Sequence, residues 1–312
     1  MKILKEILIF ASVLILLWAV LFVYPVVYPV VKSLFLLDHK FDLSKVEEPY
    51  WHINQNYTIQ VEKNEIMRTV VVAIVDTGTD KSDFPFENIL QGFNVIDQNN
   101  VTTDQHGHGR VLSHLVASPV NGINKYAMIL PVKVRRTMMD DPKLVSEGII
   151  WAVDHGTDIV NLSIGRGPTN TNVHEGYTEG VEYAIDKGVL VIASSGTSGE
   201  SVYFPGAIEG VFTVGGLDQN HKLRSEMNTD EIDIFAIDTK AQVSSSFPTA
   251  IVSGAVSLIL ALDESLSPEG AIKIILESAD REQINGKEVK ILNIDEAIKT
   301  VRAMVAAETS NY

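Results

Sequence analysis

The sequence predicts an α/β fold, a mostly parallel sheet flanked by helices in three layers, preceded by one transmembrane helix. Short β-branched apolar runs alternate with helical patterns through most of the chain, which is typical of parallel sheets. A separate apolar segment without charges lies near the start of the 312-residue chain. The chain as a whole has 46% hydrophobic and 21% charged residues, the composition of an ordinary globular protein.

The N-terminal apolar segment runs from Ile7 to Val31 without a charged residue. About 20 apolar residues are enough to cross the hydrocarbon core of a bilayer as a helix. We therefore expect residues 1–31 to form an uncleaved transmembrane anchor, which makes the lipid bilayer a partner of the chain. Two alternatives stay open: a cleaved signal peptide, although no A-x-A-like site follows, and a buried helix.

The membrane orientation follows less directly from the residues. Lysines on the two sides of the apolar segment nearly balance, so the positive-inside rule does not decide. A short N-terminal tail before one anchor most simply stays in the cytoplasm, which predicts a single-pass protein of the cell membrane with its domain on the extracytoplasmic side. Residues 32–68 are interpreted as a stalk, and residues 69–312 are long enough for one domain with a full core.

Composition also excludes several function classes. The chain contains no cysteine, which rules out disulfide scaffolds, thiolate metal sites and cysteine nucleophiles. Its formal net charge of −15 makes nucleic acid an unexpected partner, because polyanions bind basic surfaces.

The domain pattern resolves into six strands and six helices. The first strand is a continuous β-branched run that ends at Asp76, as expected for a strand buried on both faces. The segment from Phe247 to Leu262 is apolar nearly all round and predicts a buried central helix. Strands are predicted at 69–75, 127–134, 158–164, 189–193, 210–215 and 232–237, and helices at 111–117, 142–155, 173–187, 247–262, 267–278 and 295–307.

Three polar stretches lie where a parallel α/β sheet places its sites, at the carboxyl ends of strands and the starts of helices. They are 76–80, 104–110 and 244–248. Each has a structural explanation by itself, as a turn, a loop or a helix cap. Together they follow the chain order Asp, His, Ser. A serine hydroxyl needs a base, histidine supplies one near neutrality, and a carboxylate orients the imidazole and stabilises its charged form.

These stretches resemble the motifs of the subtilisin-like serine proteases (subtilases), and the resemblance covers about residues 70–297. VVVAIVDTGTD is similar to the aspartate motif, HGHGRVLSHLVA to the histidine motif and SSSFPTAIVSG to the serine motif. The resemblance implies a subtilisin-like fold and a catalytic triad of Asp76, His108 and Ser246. His108 is preferred to His106, because its register places the following helix where the family has it.

Weaker matches imply a substrate cleft. By resemblance, Ser163, Ile164 and Gly165 line the S1 side of it, and Ser195 and Gly196, in the segment VLVIASSGTSG, are further substrate-binding candidates. The family has an asparagine that helps to hold the oxyanion where this chain has Thr197, so Thr197 is the candidate oxyanion donor.

The resemblance implies a serine endopeptidase that acts on peptides or proteins and needs no cofactor for its chemistry. Relatives often bind structural calcium, but no recognisable ligand spacing is present in this chain, so metal binding is left undetermined and metal sites are unknown. Two alternatives stay open. The chain is either a catalytically weak or inactive relative that binds peptides in the same cleft, as Thr197 and Ser244 suggest, or an unrelated α/β enzyme.

Overall fold

The computed structural model of the chain describes residues 59–82, 87–167, 171–196, 201–223, 229–238 and 244–309. The predicted anchor at 1–31 and most of the predicted stalk lie outside these residues, as does Thr197. Within the described ranges, none of the helices combines the length and the apolar character that crossing a membrane requires.

The described strands form one nine-stranded sheet in the order β2-β3-β1-β4-β5-β6-β7-β9-β8. All neighbouring pairs are parallel except β8 and β9, which are antiparallel. The strands are β1 (Val71–Asp76), β2 (Phe93–Asn94), β3 (Met128–Lys133), β4 (Ile159–Leu162), β5 (Leu190–Ser194), β6 (Phe212–Leu217), β7 (Ile234–Ile237), β8 (Asp280–Ile284) and β9 (Lys287–Ile291).

Strand β1 lies in the interior of the sheet, between β3 and β4, because its β-branched run can be buried on both faces. Val72 and Ile74 pack into one hydrophobic cluster, and Ala73 and Val75 into the cluster on the opposite face. Since the three strands are parallel, their carboxyl ends meet at one edge of the sheet, where β1 ends at Asp76.

Helices cover both faces of the sheet, which gives the three predicted layers. They are α1 (His108–Ala117), α2 (Pro142–Asp154), α3 (Thr171–Asp186), α4 (Ser246–Leu262), α5 (Pro268–Glu277) and α6 (Ile294–Thr309). Residues of α1, α4, α5 and α6 belong to one core cluster, and residues of α2 and α3 to the other. Every residue of α4 after its first is buried, as its all-round apolar sequence predicts.

The antiparallel hairpin of β8 and β9 was not predicted from the sequence. Asn285 and Gly286 connect the two strands with φ values of 52° and 79°, the left-handed conformations of a two-residue turn. The strands themselves read DREQI and KEVKI, and half of their ten residues are exposed. Their polar sequence hides them from a search for apolar runs.

Residues 59–68, which the sequence analysis assigned to the stalk, pack against the domain. Val61 is buried in the core, and the Met67 amide donates to the Ala261 carbonyl at 2.8 Å. Arg68 Nη2 donates to Asp158 Oδ1 at 2.9 Å. The packed unit therefore starts before residue 69.

Candidate active site

Asp76 ends β1 with its carboxylate completely buried. Oδ1 accepts a hydrogen bond from the Thr77 amide at 2.7 Å and lies 2.8 Å from Nδ1 of His108. An ionised carboxylate can only accept, so Nδ1 of His108 is the donor in this contact. In a neutral imidazole, that tautomer makes Nε2 the nitrogen that can accept a proton.

His108 is the first residue of α1, and two glycines bring it to Asp76. Gly107 caps the helix at φ 97°, a left-handed conformation that favours glycine. Gly109 packs so closely on β1 that an added Cβ would lie 2.4 Å from the carbonyl oxygen of Gly78. The Gly-His-Gly spacing is therefore what allows the helix to start against the end of β1.

The neighbouring His106 is also buried, but it is His108 that contacts Asp76. The two imidazole centroids lie 6.4 Å apart. Asp104 fixes the loop between them, because its carboxylate accepts the amides of His106, Gly107 and Arg110 at 2.8–3.0 Å. This role of Asp104 was not predicted from the sequence, although Asp is a common residue before a helix.

Ser246 is the first residue of α4 and is half-buried. Its hydroxyl donates to the carbonyl oxygen of Ser163 at 3.4 Å, and Ser163 Oγ donates to the carbonyl oxygen of Ser246 at 2.8 Å. The next residue, Phe247, has its ring centroid 6.3 Å from that of His108. The structure thus brings Asp76 and His108 into direct contact and places the N-terminus of α4 beside them.

Arg135 is the residue of this site that the sequence analysis missed. It follows β3, and only 3% of its surface is exposed. Its Nη2 donates to Oδ2 of Asp76 at 2.6 Å, lies 3.2 Å from Nδ1 of His108, and donates to the Ser163 carbonyl at 3.4 Å. The available signal was its position two residues beyond a strand whose carboxyl end meets that of β1.

The charge of the Asp76 carboxyl is set by opposing effects. Burial acts to raise its pKa, whereas the Arg135 guanidinium, His108 and the Thr77 amide lower it. The lowering effects prevail, so the pKa of Asp76 lies well below the usual value and the carboxylate stays ionised in the folded protein.

The two segments predicted to line the cleft are joined through residues 203 and 204. The amides of Arg166 and Phe204 donate to each other's carbonyl oxygens at 2.9 and 3.0 Å, directly after Gly165. The Tyr203 amide donates to the Ser195 carbonyl at 3.1 Å. The segments 163–165 and 195–196 are thereby held in one network with the end of β4.

The serines before α4 attach its start to the end of β5. Ser245 Oγ donates to the carbonyl oxygen of Gly196 at 2.7 Å and shares a hydrogen bond of 2.5 Å with Ser194 Oγ. The Ser244 amide donates to Oδ2 of the buried Asp238 at 2.6 Å. These hydrogen bonds fix the backbone just before Ser246 against the ends of β5 and β7.

Metal ligation was left unassigned by the sequence. In the ranges that the structure describes, there is no group of three or more His, Asp or Glu side chains that could hold an ion. Structural calcium therefore stays unassigned.

Comparison with known proteins gives the family. The profile of the subtilase family matches residues 67–292, most of the chain. The thermophilic serine proteinase of Bacillus sp. (strain AK1) is 29% identical over 170 residues, which cover 50% of this chain and 40% of that protein. Subtilisin DY of Bacillus licheniformis is 26% identical over 222 residues, which cover 64% of this chain and 79% of that protein.

A solved lanthipeptide protease has the same fold, with a TM-score of 0.64 at 19% identity over 74% of this chain and 87% of that one. The fold of the chain is therefore that of the subtilisin-like serine proteases. The chain belongs to the subtilase family.

Proposed function

We propose that this chain is a membrane-anchored serine endopeptidase that hydrolyses peptide bonds of peptides or proteins through Asp76, His108 and Ser246. The observation that carries the proposal is the 2.8 Å contact between Asp76 Oδ1 and His108 Nδ1, next to the serine that starts α4. A buried, ionised carboxylate that accepts a hydrogen bond from an imidazole holds it in the one tautomer that a general base requires.

In the acylation step, Ser246 leaves the Ser163 carbonyl and donates to Nε2 of His108. The hydroxyl oxygen then bonds to the scissile carbonyl carbon as its proton passes to Nε2, and the carbonyl oxygen becomes an oxyanion. The C–N bond breaks when His108 returns that proton to the leaving amine. Resting hydrogen bonds of such sites are often long or misdirected before substrate binds, which is consistent with the 3.4 Å bond to Ser163.

In the deacylation step, water attacks the acyl-Ser246 ester. His108 takes a proton from the water and passes it to Ser246 as the acid product leaves. The Ser246 amide at the N-terminus of α4 is one donor for the oxyanion in both steps, because the first amides of a helix have no partner within it. Thr197 is the proposed second donor.

The substrate lies against the segments 163–165 and 195–196 in this proposal. The network that links both to residues 203 and 204 supports a preformed cleft next to Ser246. Peptides and proteins are the substrate class, which the family membership supports.

Labelling with a fluorophosphonate tests the chemistry directly. The full-length protein is expected to be labelled at Ser246, with loss of labelling in Ser246→Ala and strong slowing in His108→Ala. Labelling that persists in Ser246→Ala at the wild-type rate would place the nucleophile elsewhere.

The anchor is proposed on the uncharged segment Ile7–Val31. The full chain is expected to stay in the membrane fraction after alkaline carbonate extraction, and removal of residues 1–31 is expected to release it. A protease added outside intact cells should degrade the domain if it lies on the extracytoplasmic side. Full release of the intact chain by carbonate would contradict the anchor.

A second function, peptide binding without cleavage, is favoured by two observations. The Ser246 hydroxyl is bonded to Ser163 and the family's asparagine is replaced by Thr197. Two results together would establish this alternative. Peptides would bind the protein and protect it from unfolding without being cleaved, and fluorophosphonate would not label it.

A further inference from the structure

The guanidinium of Arg135 lies against the carboxylate of Asp76, the proposed catalytic acid, which also contacts His108. Its Nη2 touches Oδ2 of Asp76 at 2.6 Å, while Oδ1 of the same carboxylate faces His108. The two oxygens therefore have different partners, and the plane of the carboxylate is held from both sides. All three side chains are buried, so solvent screens these charges little.

The other contacts of Arg135 show that the pairing with Asp76 is its main interaction. Its bonds to the carbonyl oxygens of Ser163 and Met138 are both 3.4 Å long. Its Nε is buried without a hydrogen-bond partner among the described residues. Burying an arginine costs free energy unless it is well paired, and here the short bond goes to Asp76.

The charge balance of the site gives this pairing a consequence for His108. In a site with only a carboxylate and an imidazole, proton uptake by the imidazole changes the local charge from −1 to 0. With Arg135 present, the same step changes it from 0 to +1. The guanidinium nitrogen lies 3.2 Å from Nδ1, so it repels the imidazolium that proton transfer creates.

We propose that Arg135 is a positioning residue that orients the Asp76 carboxylate and restrains proton uptake by His108, so that the base remains available at lower pH but is weaker. This inference rests on the proposed triad and adds to it the group that sets its working pH range. A weaker base has two consequences. The neutral imidazole persists in mild acid, and proton removal from Ser246 is less strongly driven, which suits an enzyme that cleaves selected substrates slowly.

Other charged groups near His108 do not change in the test. Asp104 and His106 lie on the loop before α1, and Arg110 lies on α1 itself. The start of α4 contributes Ser246 and Phe247, which do not titrate in the range of interest. The variants below leave all of these residues in place.

The test is the pH dependence of fluorophosphonate labelling in the full-length protein. Arg135→Gln keeps a hydrogen-bond donor near Asp76 but removes the charge. The acid limb of its profile, the pH range in which the labelling rate falls as acid is added, is expected to move to higher pH by about one unit or more. Arg135→Lys keeps the charge and should retain the wild-type limb within about 0.3 unit. Arg136→Met is the matched control, because the exposed Arg136 pairs with Asp97 on the surface.

A second readout does not depend on labelling. The pH at which the His108 imidazole titrates, followed by NMR in the Ser246→Ala background, should move upward with Arg135→Gln and stay in place with Arg136→Met. The proposal would be overturned if Arg135→Gln folds and shows both an unchanged His108 titration and an unchanged acid limb of the labelling profile. If Arg135→Gln does not fold, a shift of one unit or more in Arg135→Lys would overturn it instead.

The two proposals fail in distinguishable ways. Wild-type protein that is never labelled at Ser246 contradicts the proposed function, whatever Arg135 does. Labelling at Ser246 with no effect of Arg135→Gln on the pH dependence contradicts only the role of Arg135.

Discussion

Ser163 and Ser246 each donate a side-chain hydrogen bond to the other's backbone carbonyl. Ser163 Oγ donates to the Ser246 carbonyl at 2.8 Å, and Ser246 Oγ donates to the Ser163 carbonyl at 3.4 Å. Ser163 Oγ also accepts from Nδ2 of the buried Asn161 at 3.1 Å. The end of β4 therefore fixes both the backbone and the hydroxyl of the proposed nucleophile.

Replacing Ser163 by alanine should disturb Ser246 without changing any titrating group. The Asn161 amide loses its acceptor, so we expect a loss of about 1–3 kcal/mol in the free energy of unfolding, measured in urea. We also expect slower fluorophosphonate labelling of the folded protein, because the start of α4 is held less firmly.

Ser257→Ala is the matched control for Ser163→Ala. Ser257 is equally buried, donates to a helix carbonyl and accepts from Nδ2 of Asn124 at 3.0 Å, but lies in the middle of α4. It should lose similar stability with an unchanged labelling rate. Equal labelling rates in the two variants would show that Ser163 does not position the nucleophile.

Asp76→Asn should reduce both reactivity and stability. Loss of the carboxylate favours the wrong tautomer of His108, which lowers catalysis of such triads by about 10⁴-fold, and a comparable loss is expected in labelling. It also leaves Arg135 buried without its counter-charge, and breaking a buried pair in this way costs about 3–5 kcal/mol at neutral pH.

The stability difference between wild type and Asp76→Asn should depend on pH in a defined direction. The pKa of Asp76 is lower in the folded than in the unfolded protein, so its contribution is complete above the unfolded value of about 4. As the pH falls below that value, the unfolded wild type binds a proton that the folded protein does not, and the difference shrinks. A difference that stays constant between pH 7 and pH 3 in urea unfolding would contradict the assigned ionisation.

Gly109→Ala should separate the imidazole from the carboxylate. An added Cβ would lie 2.4 Å from the Gly78 carbonyl oxygen and 3.3 Å from Cβ of Asp76, so the start of α1 has to move away from β1. We expect labelling to fall at least tenfold and stability to fall by about 1–3 kcal/mol, as for overpacking elsewhere.

Gly156→Ala provides the comparison for Gly109→Ala. Gly156 has φ 80° with open space around its Cα, so alanine there strains the backbone far from the site without a clash. It should lower the thermal midpoint and leave labelling of the folded protein unchanged. Labelling lost equally in both variants would mean that stability, rather than the contact of α1 with β1, is responsible.

The strands and helices that position the site could be predicted from the sequence because their patterns are local. The β-branched run before Asp76 and the apolar segment after Ser246 each need a buried position, and the structure places them in the sheet and in α4. The hairpin of β8 and β9 could not be found in this way, because its strands contain too few apolar residues to form a run.

Arg135 illustrates what a local pattern cannot give. It pairs with a residue 59 positions earlier in the chain, and nothing in its own neighbourhood distinguishes it from Arg136, which lies on the surface. Only the parallel pairing of β1 with β3, in which Asp76 lies opposite Lys133, brings Arg135 to the carboxylate. Sequence alone therefore predicts the catalytic acid but not the charged side chain that pairs with it.

Thr197→Asn tests the proposed oxyanion donor. The amide of asparagine reaches further than a threonine hydroxyl, and one well-placed donor contributes roughly 2.7–4 kcal/mol to transition-state stabilisation. Cleavage of a peptide library should therefore accelerate by about tenfold or more in kcat with little change in KM, because the donor acts on the oxyanion rather than on the bound peptide. Thr197→Val, which keeps the shape but removes the hydroxyl, should be slower than wild type. An unchanged kcat in both variants would mean that the oxyanion is held by other groups, with the Ser246 amide at the start of α4 as the first to examine.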